Sequence, residues 1–302
     1  MDDKNSKILL AAEVRQAIAM HLPLVALEST VITHGLPYPE NLQLARDMES
    51  EVRQQNAVPA TVGVVDGRIY VGLDESQLEH LATGRSMVKV SVRDFAQAMV
   101  GGRSGGTTVA GTLLAANLAG LKVFATGGIG GVHRDAPFDV STDLIGLSRT
   151  PLVVVCAGAK AILDIPATLE VLETYGVPVI GYQTDDFPAF YSRSSGLPVS
   201  ARADTPGQVA QIAQAHWGLG LNSAVLVCVP PPEEVALPTE AVAGAINQAL
   251  AEAQAAGIYG QAVTPFLLQR VGALTHGSSL RTNLALLRNN ARVAAQIAQY
   301  LC

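Results

Sequence analysis

Lysine is scarce in this chain, five residues among 302, and three of the five are embedded in apolar sequence: Lys89, Lys122 and Lys160. Lys160 ends the run Pro151-Leu-Val-Val-Val-Cys156-Ala-Gly-Ala-Lys160, the kind of segment from which an ammonium group is normally excluded, because burial strips it of water. Desolvation favours the neutral amine, the form that attacks a carbonyl carbon, so Lys160 is a candidate nucleophile. The plain alternative is a buried stem whose head reaches water at the end of a strand. Glu28 directly follows Leu24-Val-Ala-Leu27, which makes it either a general acid or base at a strand end or a turn cap. Lys89, within Met87-Val-Lys89-Val90, either points inward at an anion such as a carboxylate or phosphate, or faces solvent from an edge strand.

Three further places carry polar groups suited to a ligand. The loop Gly127-Gly-Ile-Gly130-Gly131-Val-His133-Arg134 is followed by Asp139, Ser141 and Asp143. Its glycines let backbone amides approach a ligand, and His133 with the two aspartates offers an imidazole and carboxylates to a hard divalent ion or a sugar. A second glycine-rich stretch, residues 101–106 before Thr107-Thr108, is expected to open a helix and present amides to a phosphate. Near the end of the sequence, Ser278-Ser-Leu-Arg281-Thr-Asn283 begins a helical pattern, where Asn283 can aim an amide at a base or hydroxyl, or the segment only caps the helix. Neither an HExxH helix, a Walker GK[ST] nor an ordered dinucleotide fingerprint occurs. His21, His34, His80, His216 and His276 lack ligand spacing and read as structural or surface residues.

The elements that must position these groups follow from hydrophobic periodicity. Short apolar runs predict strands at 24–27, 61–65, 68–71, 88–90, 123–126, 152–156, 179–181 and 224–229. Helical patterns occupy 41–55, 108–118, 161–175, 205–219, 239–256, 265–275 and 279–301, with Thr205-Pro206 and Ser279 as expected starts. Strands alternating with helices require crossover connections, hence a mostly parallel sheet covered on both faces. Asp66-Gly67 joins two of the strands as a hairpin, so the expected fold is a three-layer α/β/α sandwich with a mixed, mostly parallel sheet, in one domain spanning 1–302. In such sheets ligands sit at the carboxyl ends of the strands, where Glu28 and Lys160 fall.

Composition narrows the class. Hydrophobic residues are 49% and charged residues 15% of the chain, which fits heavy burial of both sheet faces and an oligomer that hides part of its surface. A net charge of −6 supplies no field for a nucleic-acid backbone, so the expected partner is a small molecule. Cys156, Cys228 and Cys302 are far apart and read as reduced thiols. The first residues lack the apolar core of a signal peptide, and no apolar run reaches the roughly 20 residues that span a bilayer, so a soluble cytoplasmic protein is expected.

Taken together, the segments form an ordered set: Val25-Ala-Leu-Glu28-Ser-Thr-Val-Ile-Thr-His-Gly35, Lys89-Val-Ser-Val-Arg-Asp94, Thr107-Thr-Val-Ala110, Phe124-Ala-Thr-Gly-Gly-Ile-Gly-Gly-Val-His-Arg134, Phe138-Asp139, Ser141-Thr-Asp143 and Val155-Cys-Ala-Gly-Ala-Lys160. They continue with Gly181-Tyr-Gln-Thr184, Pro188-Ala-Phe-Tyr191, Thr264-Pro-Phe-Leu267 and Asn283. In this order, over nearly the whole chain, the sequence resembles the pseudouridine-5′-phosphate glycosidases, the indigoidine synthase A family. The resemblance implies reversible cleavage of the C-glycosidic bond of pseudouridine 5′-phosphate to uracil and ribose 5-phosphate, a lyase-type reaction through a lysine Schiff base. It further implies Lys160 as nucleophile, Glu28 as proton donor and Asp139 as the ligand of a metal, usually Mn²⁺. Lys89, Val109, Ser141, Thr142 and Asp143 are implied substrate contacts, Asn283 lies near the base, and the assembly is a homotrimer. Lys89 either acts electrostatically on Lys160 or holds an anionic group. The loop 133–139 is shorter than is common in the family, and Ala161 and Thr142 stand where serine and alanine are frequent. The rival readings are another Schiff-base lyase acting on a phosphosugar and a sugar-phosphate-binding regulator without chemistry.

Overall fold

Four-residue strands whose every side chain is buried mark the centre of the molecule. Val153–Cys156 and Val225–Cys228 have no polar alternation at all, which is the pattern of strands covered on both faces. The computed structural model describes residues 8–134, 136–258, 260 and 263–302. In chain order the elements are β1 (Ile8–Leu10), α1 (Ala12–Ala19), β2 (Leu24–Leu27), a π-helix (Val31–Gly35), α2 (Glu40–Gln54), β3 (Val58–Val65), β4 (Arg68–Val71), α3 (Glu75–Thr83), β5 (Val88–Val90), α4 (Phe95–Val100), β6 (Gly105–Thr107), α5 (Val109–Leu118) and β7 (Val123–Ala125). They continue with β8 (Val132–His133), β9 (Ala136–Val140), α6 (Thr142–Leu147), β10 (Val153–Cys156), β11 (Leu163–Asp164), α7 (Ile165–Thr174), β12 (Val179–Tyr182), β13 (Ala201–Ala203), α8 (Pro206–Gly218), β14 (Val225–Cys228), α9 (Thr239–Ala255), α10 (Val263–Leu274) and α11 (Ser278–Ala298).

The main sheet runs β1-β4-β3-β2-β7-β10-β14-β12-β13, with β6 branching from β3 and β5 beyond it. From β3 through β13 the pairs along that path are parallel, while β4 and β6 pair antiparallel with β3. The sheet is therefore mixed and mostly parallel, with helices on both sides, as the alternation of patterns requires. On one side α11 lies across β2, β7 and β10 and packs against α2 and α8; α5, paired with α6, packs against β2, β3, β4 and β6. The β3–β4 hairpin turns at Asp66 (φ 48°) and Gly67 (φ 73°), both in the left-handed region that a two-residue hairpin loop demands. Cys156 and Cys228 occupy partner positions in β10 and β14 and are free thiols.

Three local expectations are corrected. The helix expected at 161–175 begins at Ile165: Asp164 caps it, accepting from Ala167 N at 3.0 Å, with Pro166 in the first turn, and Leu163–Asp164 is used as a strand against β8. Lys160 consequently stands in a turn between two strands. Ser279 does not cap α11; the cap position is Gly277 at φ 79°, and the Ser279 hydroxyl accepts from Thr275 Oγ1 at 2.9 Å. Thr205 does cap α8 as expected, in a reciprocal arrangement with Gln208.

The glycine run 101–106 ends in strand β6 rather than opening a helix, and α5 starts only after Thr108, which accepts from Gly111 N at 3.2 Å. Its glycines serve close packing. A Cβ on Gly106 would lie 2.4 Å from Thr33 Oγ1 and 2.5 Å from Ser29 O, and one on Gly105 would lie 2.0 Å from Val88 O. Only glycine lets β6 pass between β5 and the segment that follows β2.

Candidate active site

Glu28, Thr126 and the segment leading to Lys160 leave the carboxyl ends of β2, β7 and β10, three neighbouring parallel strands. Strand spacing of about 4.8 Å puts the backbones of the first and third about 10 Å apart, with β7 between, a gap that a glutamate and a lysine can close with their side chains. Above these ends lies a cavity of about 290 Å³ lined by Glu28, Lys89, Val109, Asp139, Ser141, Thr142, Asp143, Lys160 and Asn283. The nine site residues expected from the sequence thus share one cavity. Its far wall is apolar, from Pro265 and Leu268 of α10, Leu287 of α11, and Phe190.

Lys160 is held by backbone pairing that continues past the strands. Ala157 N donates to Gly127 O at 2.9 Å, Ile129 N to Gly158 O at 3.0 Å, and Lys160 N to Ile129 O at 3.1 Å. The turn needs Gly158 at φ +85°, where a Cβ would sit 2.4 Å from Pro188 O. Lys160 is half-buried and lines the cavity, within electrostatic reach of Glu28.

Glu28 is 7% exposed and accepts a hydrogen bond from Thr126 Oγ1. Burial is the largest influence on its carboxyl and pushes it above the usual carboxylate range; Lys160, the Thr126 hydroxyl and Lys89 pull the other way, and Asp143 adds to the rise. The shift is toward the acid form, which suits a proton donor. Lys89 lies on β5, whose strand partner is β6 at the edge of the sheet, yet its side chain lines the cavity instead of pointing at solvent. Burial first and Lys160 second depress its ammonium below the usual lysine range, opposed by Asp143, Glu28 and Asp94.

Asp143 lines the cavity and is also anchored by backbone donors. It is 5% exposed, and its two oxygens accept from Ala110 N at 2.9 Å and Gly130 N at 2.8 Å. The carboxylate therefore ties the first turn of α5 to the glycine loop after β7. Ser141 caps α6, accepting from Asp143 N at 3.2 Å, and Thr142 Oγ1 lies 2.9 Å from Ser91 Oγ. Val109 is the first residue of α5, and Asn283 lies on α11, where Leu287 also faces the cavity.

The metal reading can be tested against these donors. Among the described residues no group of three or more His, Cys, Asp and Glu is placed to hold an ion. His133, Asp139 and Asp143 line the cavity together without forming such a group, and each oxygen of Asp143 already accepts from a backbone N–H. Asp139, exposed on β9, remains a carboxylate open to the cavity. This fits a divalent ion held by one carboxylate with water and substrate oxygens, and does not fit an all-protein cage.

Sequence reasoning passed over His34 and Phe190. His34 lines the cavity from the π-helix, with Nδ1 2.6 Å from Thr33 Oγ1, and burial followed by Lys89 pushes its imidazole below the usual histidine range. Its signal is the helix irregularity, since a π-turn often marks a functional position, not any spacing to other histidines. Phe190 is buried at φ 64°, a backbone state that a non-glycine residue adopts only when its surroundings impose it. Residues 102–106 fit the G-x-S-x-G spacing of a hydrolase elbow, and His80 Nε2 lies 3.2 Å from Ser104 Oγ. There Asp66 contacts the serine instead of orienting the imidazole, so the relay of a catalytic triad is not formed.

Comparison with known proteins places this cavity in a family. The model of indigoidine synthase A like proteins matches residues 13–300. A pseudouridine-5′-phosphate glycosidase of Herpetosiphon aurantiacus is 55% identical over 295 residues, covering 97% of each chain. One from Solibacter usitatus is 54% identical over 291 residues, covering 96% of this chain and 97% of its own. Among solved structures, a prealnumycin C-glycosynthase in complex with ribulose 5-phosphate is 40% identical with a TM-score of 0.90, covering 97% of this chain and 96% of that one. An indigoidine synthase A-like protein of Thermotoga maritima is 33% identical, also at a TM-score of 0.90, covering 100% of this chain and 99% of that one. The chain belongs to the indigoidine synthase A family.

Proposed function

We propose that the chain is a pseudouridine-5′-phosphate glycosidase, which splits the bond between ribose C1′ and uracil C5 reversibly through a Schiff base on Lys160. The observation that carries this reading is the convergence of Lys160 with Glu28, a carboxyl that burial pushes above the usual carboxylate range, in one cavity. Relatives at 55% and 54% identity carry that name, and a structural neighbour binds ribulose 5-phosphate.

A C-glycoside explains why an amine is needed. Uracil C5 is a poor carbanion leaving group, so the two-carboxylate scheme that serves O-glycosides is unsuited. The ring is first opened: C1′–O4′ breaks as Glu28 gives its proton to O4′, the C5=C6 pair moves to form C1′=C5, and N1 forms N1=C6 as it gives up its proton to solvent. The Lys160 amine then adds at C1′: the C1′=C5 pair re-forms C5=C6, the N1=C6 pair returns to N1, the added nitrogen gives a proton to the Glu28 carboxylate, and C5 takes up a proton as N1=C6 forms again. The nitrogen lone pair forms C1′=N as the C1′–C5 pair departs onto uracil, leaving an iminium of ribose 5-phosphate that water hydrolyses back to the free amine. Lys89 is the cation for an anionic group of the substrate. Asn283 stands beside the apolar wall where the base lies, with Val109, Ser141 and Thr142 as further contacts. Asp139 would hold a divalent ion, Mn²⁺ in this reading, which would supply positive charge to the substrate.

The same reading carries a homotrimer working in the cytoplasm. Among the described residues no helix is long and apolar enough to cross a membrane.

Incubation with ribose 5-phosphate and borohydride is expected to add the reduced sugar to the peptide containing Lys160, and an unmodified peptide would overturn the mechanism. Release of free uracil from pseudouridine 5′-phosphate separates this activity from an aldolase that uses the same amine chemistry on a phosphosugar.

A further inference from the structure

We infer that Thr126 is a positioning residue for Glu28: its hydroxyl occupies Oε1 and so assigns the transferable proton to Oε2. This rests on Glu28 acting as the proton donor proposed above.

Thr126 directly follows β7, between the strands that deliver Glu28 and Lys160, and it has no exposed surface. Its backbone is fixed on both sides. Its N–H donates to Val155 O at 3.0 Å, and its carbonyl accepts from Asn290 Nδ2 at 2.8 Å, a group that also lies 3.4 Å from Gly127 O. Asn290 is fully buried on α11, and its Oδ1 has no hydrogen-bond partner among the described residues. A buried unpaired amide oxygen is costly, so the placement of this amide is explained by what its other end does: it clamps the carbonyls at the end of β7.

With the backbone clamped and a β-branched side chain stiff about χ1, the single hydroxyl proton of Thr126 has a fixed direction, toward Glu28 Oε1. An oxygen that accepts that proton is the poorer site for the carboxyl's own proton, which therefore resides on Oε2. Without the hydroxyl the two oxygens become equivalent, and the acid loses its orientation to the ring oxygen it must protonate. The charged groups facing Glu28 are Lys160 beyond β10, Lys89 on β5 and Asp143 on α6, and none of them distinguishes its two oxygens by a hydrogen bond.

The experiment compares Thr126→Val and Thr126→Ala, which lose the hydroxyl, with Thr126→Ser, which keeps it, using uracil release from pseudouridine 5′-phosphate across pH. The Val and Ala variants are expected to fall about 10²-fold in kcat with KM little changed, and Ser to recover most of the loss. The hydroxyl favours the carboxylate, so its removal also moves the alkaline limb of the profile to higher pH. Wild-type kcat and limb position in the hydroxyl-free variants would overturn the inference, as would a Ser variant as slow as Val. Should the wild-type protein release no uracil, the glycosidase reading fails instead. The ¹³C carboxyl titration of Glu28 then decides alone: an upward shift in Thr126→Val supports the contact and an unchanged titration removes it.

Discussion

Replacing Asp143 by alanine tests whether the site is braced from behind. The Asp143 carboxylate satisfies two backbone N–H groups, Ala110 at 2.9 Å and Gly130 at 2.8 Å, and is 5% exposed. In Asp143→Ala both donors are left without their acceptor, at about 1–3 kcal/mol each, or about 2–6 kcal/mol together. Removing a buried carboxylate also removes its desolvation cost, which places the loss in the lower part of that range, about 2–4 kcal/mol. An unfolding entropy of about 2.1 cal/mol/K per residue gives about 0.63 kcal/mol/K for 302 residues. The expected fall in Tm is then about 3–6 °C by calorimetry. Asp143→Asn keeps one oxygen acceptor and should lose about half as much. The same carboxylate opposes ionisation of Glu28 and supports the charge on Lys89, so Asp143→Asn should also move the alkaline limb of activity to lower pH. An Asp143→Ala protein that melts within about 1 °C of wild type, or an Asn variant as unstable as Ala, would refute the bracing argument.

Three further outcomes are expected. Glu28→Gln should fold, because the amide has nearly the shape of the carboxyl and avoids the cost of burying a charge, and should lose about 10²- to 10⁴-fold in uracil release; wild-type turnover would remove Glu28 from the mechanism. For the native enzyme the sign follows from the raised carboxyl: activity that needs the acid form holds below that raised value and falls as pH climbs through it. Gly106→Ala places a methyl 2.4 Å from Thr33 Oγ1 and 2.5 Å from Ser29 O, an overpacking worth about 1–3 kcal/mol; an unchanged melting curve would show that β6 can shift to admit it.

The order of layers was legible because burial on both faces writes itself as continuous apolar runs, as at Val153–Cys156 and Val225–Cys228. The short strands were not. Val132–His133 and Leu163–Asp164 pair with each other through two residues each, too few for any period to register, and the helix pattern of α7 was therefore extended backwards over 161–164. The role of Asp143 was hidden for a different reason. A carboxylate near a glycine loop has the same appearance in sequence whether it waits for a ligand or is saturated by backbone amides, and only the fold brings Ala110 and Gly130 to it. His34 was passed over because histidines were sought by ligand spacing, whereas its neighbour across the cavity, Lys89, is 55 positions away in sequence.

The three lysines in apolar sequence show what the flanking residues can and cannot predict. Lys122 has surroundings as hydrophobic as those of the other two, yet it is exposed, its Nζ 6.0 Å from the ring centre of Trp217. The difference is strand polarity. Lys122 precedes β7 and so emerges at the amino end of the sheet, while Lys160 follows β10 and emerges at the carboxyl end, where crossovers leave a crevice. The rule applies equally to Glu28 after β2 and Thr126 after β7. Acid, hydroxyl and amine are thereby set after three adjacent strands in that order, and the hydroxyl reaches the acid from the neighbouring strand. Apolar flanks mark a lysine as unusual; the end of the strand on which it sits decides whether it can do chemistry.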